Sequence, residues 1–171
     1  MSTTITTSRL TLRHVQPTDA QRITDLVNNP QIYRMVSRIS SSQSHAQTLG
    51  WISGHDAGRA ADTDHPYAIV LDGELIGMTG AHREVTLLPF EIGYWLAPEH
   101  WGQGIMTEAA EALLKWLQEH GEQAFVSGYF IDNPASGRVL GKLGFMKADR
   151  RQVFCLGRGE AVEHYDMARV A

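Results

Sequence analysis

A chain of 171 residues is within the range of one domain and long enough to bury a real core. Fifteen basic against nineteen acidic residues give a formal net charge of −4 with no basic run, which argues against a nucleic-acid partner and means that an anionic ligand must be held locally. No apolar stretch approaches membrane-spanning length, and the N-terminus, rich in Ser and Thr up to Ser8, lacks the apolar run of a secretion signal, so the expectation is one domain over residues 1–171, cytoplasmic and without a membrane partner.

The alternation in Arg9-Leu10-Thr11-Leu12-Arg13-His14-Val15 predicts a first strand, ended by Gln16-Pro17. A helix follows from about Thr18 to Asn28, with Ala20, Ile23 and Val27 on one side, and Asn28-Asn29-Pro30 breaks it. A short helical piece carries Ile32, Met35 and Val36, and the serines at 40 to 44 offer an N-cap for a third helix through about His55. Gly58 to His65 reads as a polar loop. Apolar runs on either side of Asp72-Gly73 predict a hairpin, because that dipeptide favours the turn that matches strand twist. Leu88 to Leu96 is a further strand, then comes a helix over 105–120, a strand over Ala124 to Ile131, and a helix from Asn133, with Pro134 at its first position, to the glycine stop at Gly144. Phe145 onward and Glu163 to Val170 supply two last strands, giving a mixed α/β fold whose sheet has helices on both faces. An exposed last strand could pair with a second subunit.

Residues 91 to 107 are the most informative stretch. Ile92, Tyr94 and Leu96 alternate as an extended segment with one buried face, and Pro98 ends it. From Ile105 the period becomes helical, with Ile105, Ala109, Ala112, Leu113, Trp116 and Leu117 on one stripe and Gly121 as the stop. Several backbone N–H groups lack partners at such a helix start and the dipole is positive, so an anion can settle there without a cationic side chain. Gly102 and Gly104 let it reach the backbone, although an ordinary strand-to-helix turn would also use them. Neither Gly-x-x-x-x-Gly-Lys-Ser/Thr nor the third glycine of a dinucleotide fingerprint is present.

Cys155 is the only cysteine, so no internal disulfide or cysteine-based metal cluster can form, and it reads as a packed thiol in a strand. None of the eight histidines forms a pair with the close helical spacing of a zinc site, and no metal is expected.

Trp101-Gly102-Gln103-Gly104-Ile105-Met106 resembles the Gln/Arg-x-x-Gly-x-Gly/Ala signature of the GNAT acetyltransferases, and Asn133-Pro134-Ala135-Ser136 with Lys142-Leu143-Gly144-Phe145 resembles their second block. Arg9-Leu10-Thr11-Leu12-Arg13 and Glu91-Ile92-Gly93-Tyr94-Trp95-Leu96 look like the RimJ/RimL branch, whose named members acetylate N-termini of ribosomal proteins. The resemblance implies a single GNAT fold: a twisted, mostly antiparallel mixed sheet that splays between two central parallel strands, with acetyl-CoA in the opening as co-substrate. It implies that Tyr94, Trp95 and Leu96 pair with the pantetheine arm through their backbone, that Gly102, Gln103, Gly104, Ile105, Met106 and Thr107 cradle the pyrophosphate with Trp101 beside it, and that Asn133 and Ser136 reach the arm and the sulfur. Trp101 and Met106 depart from the broader signature. The related RimI-type enzymes carry a Glu five residues before the Asn and a Tyr seven after it; here those positions are Gly128 and Leu140, which cannot move a proton.

Direct transfer needs a neutral amine, a donor for the developing oxyanion and help for the departing thiolate. Keeping an α-amine of pKa about 8 neutral at pH 7 costs roughly 1.4 kcal/mol, against about 4.6 for a lysine of about 10.4, so a site without a dedicated glutamate fits a protein N-terminus better than a lysine. Glu91 is the base candidate, in competition with a water relay, and Ser136 the acid candidate, with solvated-strand and helix-capping roles as their alternatives. A bulge near Tyr94 to Leu96 could aim a backbone N–H at the oxyanion. Tyr129, His82 and Glu163 are further candidates. The alternative functions are acetylation of a small amine, such as an aminoglycoside or polyamine, and a silent acyl-CoA sensor.

Overall fold

A computed structural model describes residues 3–171. Its strands are β1 (Ile5–Thr6), β2 (Leu10–His14), β3 (Asp64–Leu71), β4 (Glu74–His82), β5 (Phe90–Leu96), β6 (Ala124–Phe130), β7 (Met146–Cys155) and β8 (Glu160–Val170). Its helices are α1 (Ala20–Val27), α2 (Pro30–Tyr33), α3 (His45–Ser53), α4 (His55–Ala60), α5 (Ile105–Glu119) and α6 (Pro134–Lys142), with short 3-10 turns at Pro17–Asp19 and Pro98–His100. One sheet runs in the order β1-β2-β3-β4-β5-β6-β8-β7, antiparallel throughout except for the β5/β6 pair.

The local signals act where they stand. Asp72 and Gly73 both sit at positive φ, 51° and 84°, and close the β3–β4 hairpin. Ser44 caps α3 through a reciprocal pair with Gln47, at 3.1 and 2.8 Å. Alternation along β3 sorts the core into two layers. Tyr67 and Ile69 pack with Ile105, Leu113 and Leu117 of α5 and Leu140 of α6, while Ala68 joins Ile23 and Val27 of α1 and Ile52 of α3 on the other face. The helices thus cover both faces, and a hydrogen bond between the buried hydroxyls of Thr24 and Thr48, 2.7 Å, ties α1 to α3.

Three expectations change. The segment read as a polar loop is mostly ordered: α4 runs through Ala60 and β3 begins at Asp64. His55 packs edge-on against Trp51, with ring centroids 4.3 Å apart, and this burial holds a segment whose composition reads as loop. The edge strands are β1 and β7, and the last strand is not an edge, because β8 inserts between β6 and β7. Strand β5 pairs with β4 in unbroken register, so no bulge near Tyr94 aims an amide into the opening. Separation of the strands exposes that edge instead: β5 pairs with β6 only at Phe90–Phe125 and Glu91–Val126. Just past those pairs the Ser127 hydroxyl donates to the Ile92 carbonyl at 2.7 Å, and beyond it the strands part.

Candidate active site

The fork between β5 and β6 opens onto two cavities on opposite faces of β5. On the α5/α6 face lies a cleft of about 290 Å³. It is lined by Tyr94, Trp95, Leu96, Trp101, Gly102, Gly104, Ile105, Met106, Thr107, Asn133 and Ser136, which are all of the predicted cofactor residues except Gln103. On the other face lies a cavity of about 620 Å³, walled by Ile23, Val27 and Trp51 and reached by Glu91. Val36, Tyr94 and Trp95 line both.

The turn before α5 has the geometry of an anion seat. Gly102 and Gly104 lie at φ +73° and +74°, a left-handed conformation that side chains resist, while a Cβ at Gly102 would meet nothing within 4 Å. The first bond of α5 runs from Glu108 N–H to the Gly104 carbonyl, 3.0 Å, so the N–H groups of Ile105, Met106 and Thr107 stand at the open helix end. Gln103 faces away, its side chain donating to the Glu99 carbonyl at 3.2 Å and its own carbonyl accepting from Arg9 Nη1 at 3.0 Å. The Trp101 indole N–H donates to the Leu96 carbonyl at 2.7 Å, closing the turn onto the end of β5.

Arg9 links that turn to Glu108, with Nε 2.7 Å from the carboxylate. Burial works against charge on Glu108, but hydrogen bonds from Thr7, Arg9 and Ser8 outweigh it and hold the carboxyl at about 2. The sequence reading missed this brace, and it also missed Arg138 and Lys142, one helical turn apart on α6, which put positive charge on the cleft wall. Their spacing was a legible signal, since residues four apart share a helix face.

Asn133 caps α6, its Oδ1 accepting from Ser136 N–H at 3.4 Å. The Ser136 hydroxyl meets the Tyr94 hydroxyl at 2.8 Å. Burial pushes the Tyr94 phenol up to about 12, and the Ser136 hydrogen bond offsets this only in part. The side chain of Tyr94 was not among the expected chemical groups.

Glu91 lies on the opposite face, in the larger cavity, with Arg38 Nη2 3.1 Å from its Oε2. Asp64 and His82 also line that cavity, 3.7 Å apart, and burial raises the Asp64 carboxyl above its usual range. Among the other candidates, Glu163 pairs with Arg150 on the outer strands, and Tyr129 packs flat against Gly137, where a Cβ would lie 2.5 Å from its ring. Leu140 is fully buried in the core. Cys155 is buried, as expected of a packed thiol. Among the described residues no helix is long and apolar enough to cross a membrane, and no group of His, Cys, Asp and Glu could hold a metal ion.

Residues 9–146 match the family model of the acetyltransferase (GNAT) domain. The ribosomal-protein-serine acetyltransferase of Escherichia coli is 39% identical over 82 residues, which span 47% of this chain and 46% of that enzyme, about half the length of each. An N-acetyltransferase of Bacillus subtilis, YoaA, is 30% identical over 145 residues, 82% of this chain and 81% of that one. The solved structure of RimL, a ribosomal L7/L12 α-N-protein acetyltransferase in complex with coenzyme A, superposes with a TM-score of 0.87 over 98% of both chains at 22% identity. With its forked sheet and glycine turn, the chain belongs to the GNAT acetyltransferase family.

Proposed function

We propose that residues 1–171 act as one catalytic domain in the cytoplasm, moving the acetyl group of acetyl-CoA to the N-terminal α-amine of a protein. The observation that carries this reading is the pair of cavities meeting at Tyr94 and Trp95: donor and acceptor can approach the fork from opposite faces of β5 and react without a covalent enzyme intermediate. The acceptor cavity, with about 620 Å³ of space, has room for the end of a peptide chain. The E. coli relative is named for acetylation of a ribosomal-protein serine, and the RimL structure for α-N-acetylation of a ribosomal protein.

On the donor side, the amides of Ile105 to Thr107 and the glycine turn would hold the pyrophosphate, with Trp101 beside it and Arg138 and Lys142 adding charge. The open edge of β5 at Tyr94 to Leu96 and the side chain of Asn133 would hold the arm. Acetyl-CoA supplies a thioester carbon open to attack by an amine. Tyr94 and Ser136 would give hydrogen bonds to the departing sulfur, and Glu91 would draw the ammonium form of the acceptor into the larger cavity.

Matched peptides test the acceptor. One begins with a free Ser or Ala and has its lysines blocked; the other has a blocked N-terminus and one free lysine. Thiol release should be at least tenfold faster, as kcat/KM, with the free α-amine. Equal or faster turnover of the lysine peptide would refute the reading.

A further inference from the structure

Beside the fork, on the face that Glu91 occupies but outside the lining of the larger cavity, stands a further titratable group, His164. Glu91 pairs with Val126 across the last rung between β5 and β6, so Gly93 and Gly128, each two residues further on, lie on the same face at the point of separation. At Gly93 an added Cβ would meet nothing within 4 Å, which leaves open space on the β5 side. At Gly128 an added Cβ would lie 2.1 Å from Cε1 and 2.7 Å from Nε2 of His164, so the imidazole fills the volume that a side chain at 128 would otherwise take. His164 pairs with Phe130 across the β6/β8 ladder and shares its face.

The ring is held in one orientation. Nδ1 lies 2.9 Å from Oδ1 of Asp166, whose other oxygen accepts from Arg151 Nε at 2.5 Å. A carboxylate at Nδ1 keeps the proton on that nitrogen, so the lone pair is on Nε2. Nε2 has no protein hydrogen-bond partner among the described residues. The side chain keeps 16% of its exposure, enough to exchange protons with solvent.

We propose that His164, oriented by Asp166, is the general base of acetyl transfer, with Nε2 receiving the proton of the acceptor amine directly or through one water. As the amine nitrogen bonds to the acetyl carbonyl carbon it becomes strongly acidic; its proton passes to Nε2, the carbon–sulfur bond breaks, and the thiolate takes a proton from solvent. His164 then returns its proton to bulk water. The charged groups that face the ring are Asp166 of β8, Arg151 of β7 and Glu91 of β5, while β6 offers only Gly128 and Phe130 there. Burial, aided by Arg151, outweighs Asp166 and Glu91 and lowers the imidazole from its ordinary value, leaving it unprotonated at pH 7 and able to accept.

This assignment rests on amine acetylation at the fork but not on which amine is used. His164→Gln should lower kcat/KM at pH 7 by a hundredfold or more on the peptide the wild type prefers. It should bind CoA with unchanged Kd, and the limb set by the imidazole should vanish from the pH profile, leaving only the rise set by deprotonation of the amine. His164→Gly should regain activity with added imidazole. A wild type that prefers the lysine peptide refutes the α-amine reading, whereas a His164→Gln enzyme within threefold of wild type on either peptide refutes the base. Nitrogen-15 NMR of the wild-type imidazoles decides the case without turnover. A neutral ring with the proton on Nδ1 at pH 7 supports the assignment; a charged ring, or the opposite tautomer, overturns it.

Discussion

The hydroxyls of Tyr94, on β5, and Ser136, in the first turn of α6, lie 2.8 Å apart across the mouth of the donor cleft. The pair joins the fork to the helix that closes it, and its chemistry follows from one comparison. Burial sets the Tyr94 phenol at about 12. A departing thiol has a pKa of about 8.5, so outright proton transfer from the phenol would be uphill by roughly 5 kcal/mol. In the proposed reaction Tyr94 would therefore stabilise the sulfur by a hydrogen bond rather than by giving up its proton.

Tyr94→Phe should then reduce kcat on the order of tens-fold without moving either limb of the pH profile. Ser136→Ala should have a similar effect, and the double variant should be no slower than the slower single, because the two hydroxyls act as one unit. Steady-state kinetics over pH 6 to 10 checks both points; a basic limb that shifts in Tyr94→Phe would mean that the phenol does transfer its proton.

Glu108 holds Arg9, Thr7 and Ser8 against the first turn of α5, and Arg9 in turn holds the Gln103 carbonyl. Glu108→Ala should loosen the glycine turn and weaken CoA binding roughly tenfold, about 1.4 kcal/mol, while leaving the acceptor KM unchanged. Titration calorimetry with CoA measures the first quantity and peptide kinetics the second. An unchanged Kd would mean that the turn keeps its shape through its own φ angles.

What the sequence made legible was the information carried by near neighbours. Asp72-Gly73 sets a turn by itself, the change of period at Ile105 sets a helix, and Asn133-Pro134 sets a cap, each over a few residues. These suffice for the hairpin, the anion seat and most element bounds. The contacts that shape the acceptor face span long separations. His164 reaches Gly128 from another strand, and no local pattern near either residue encodes that meeting. The insertion of β8 beside β6 is the same kind of fact, since chain order alone would place β7 there. Glu91, the base candidate of the sequence, lies in the larger cavity, and its Arg38 partner comes from a loop with no periodicity.

Arg83 shows how the closed end of the fork is secured. Its side chain keeps 4% of its exposure, pairs with Asp62 and, at 3.0 Å, with Glu122, and covers the Phe90 ring at 3.9 Å from the centroid. Phe90 is the first rung between β5 and β6, so this cation pins the strands together where they must not part. Arg83→Ala should destabilise the protein by about 3 kcal/mol, the low end for a broken buried pair, because Asp62 stays half exposed and can recover water. Urea unfolding measures it, with an unchanged slope expected.

His55 gives the fold a defined acid sensitivity. It is 2% exposed, its ring nitrogens have no partner among the described residues, and burial, with Arg59 adding repulsion, lowers its pKa to about 4. An unfolded chain titrates this group near 6.5, so between about 4 and 6.5 the unfolded state binds the extra proton and stability rises with pH. The stabilisation is complete above 6.5 and is lost as the pH falls toward 4. Glu108 acts in a lower window: its depressed value makes its contribution complete above about 4.5 and lost as the pH falls toward 2. Melting temperatures at pH 7.5 and pH 5 should therefore fall more steeply for the wild type than for His55→Phe, which keeps the ring against Trp51 but cannot bind a proton. Glu108→Gln should leave that interval unchanged and flatten only the drop below pH 4.5. Equal slopes for wild type and His55→Phe between pH 7.5 and 5 would remove His55 as the source.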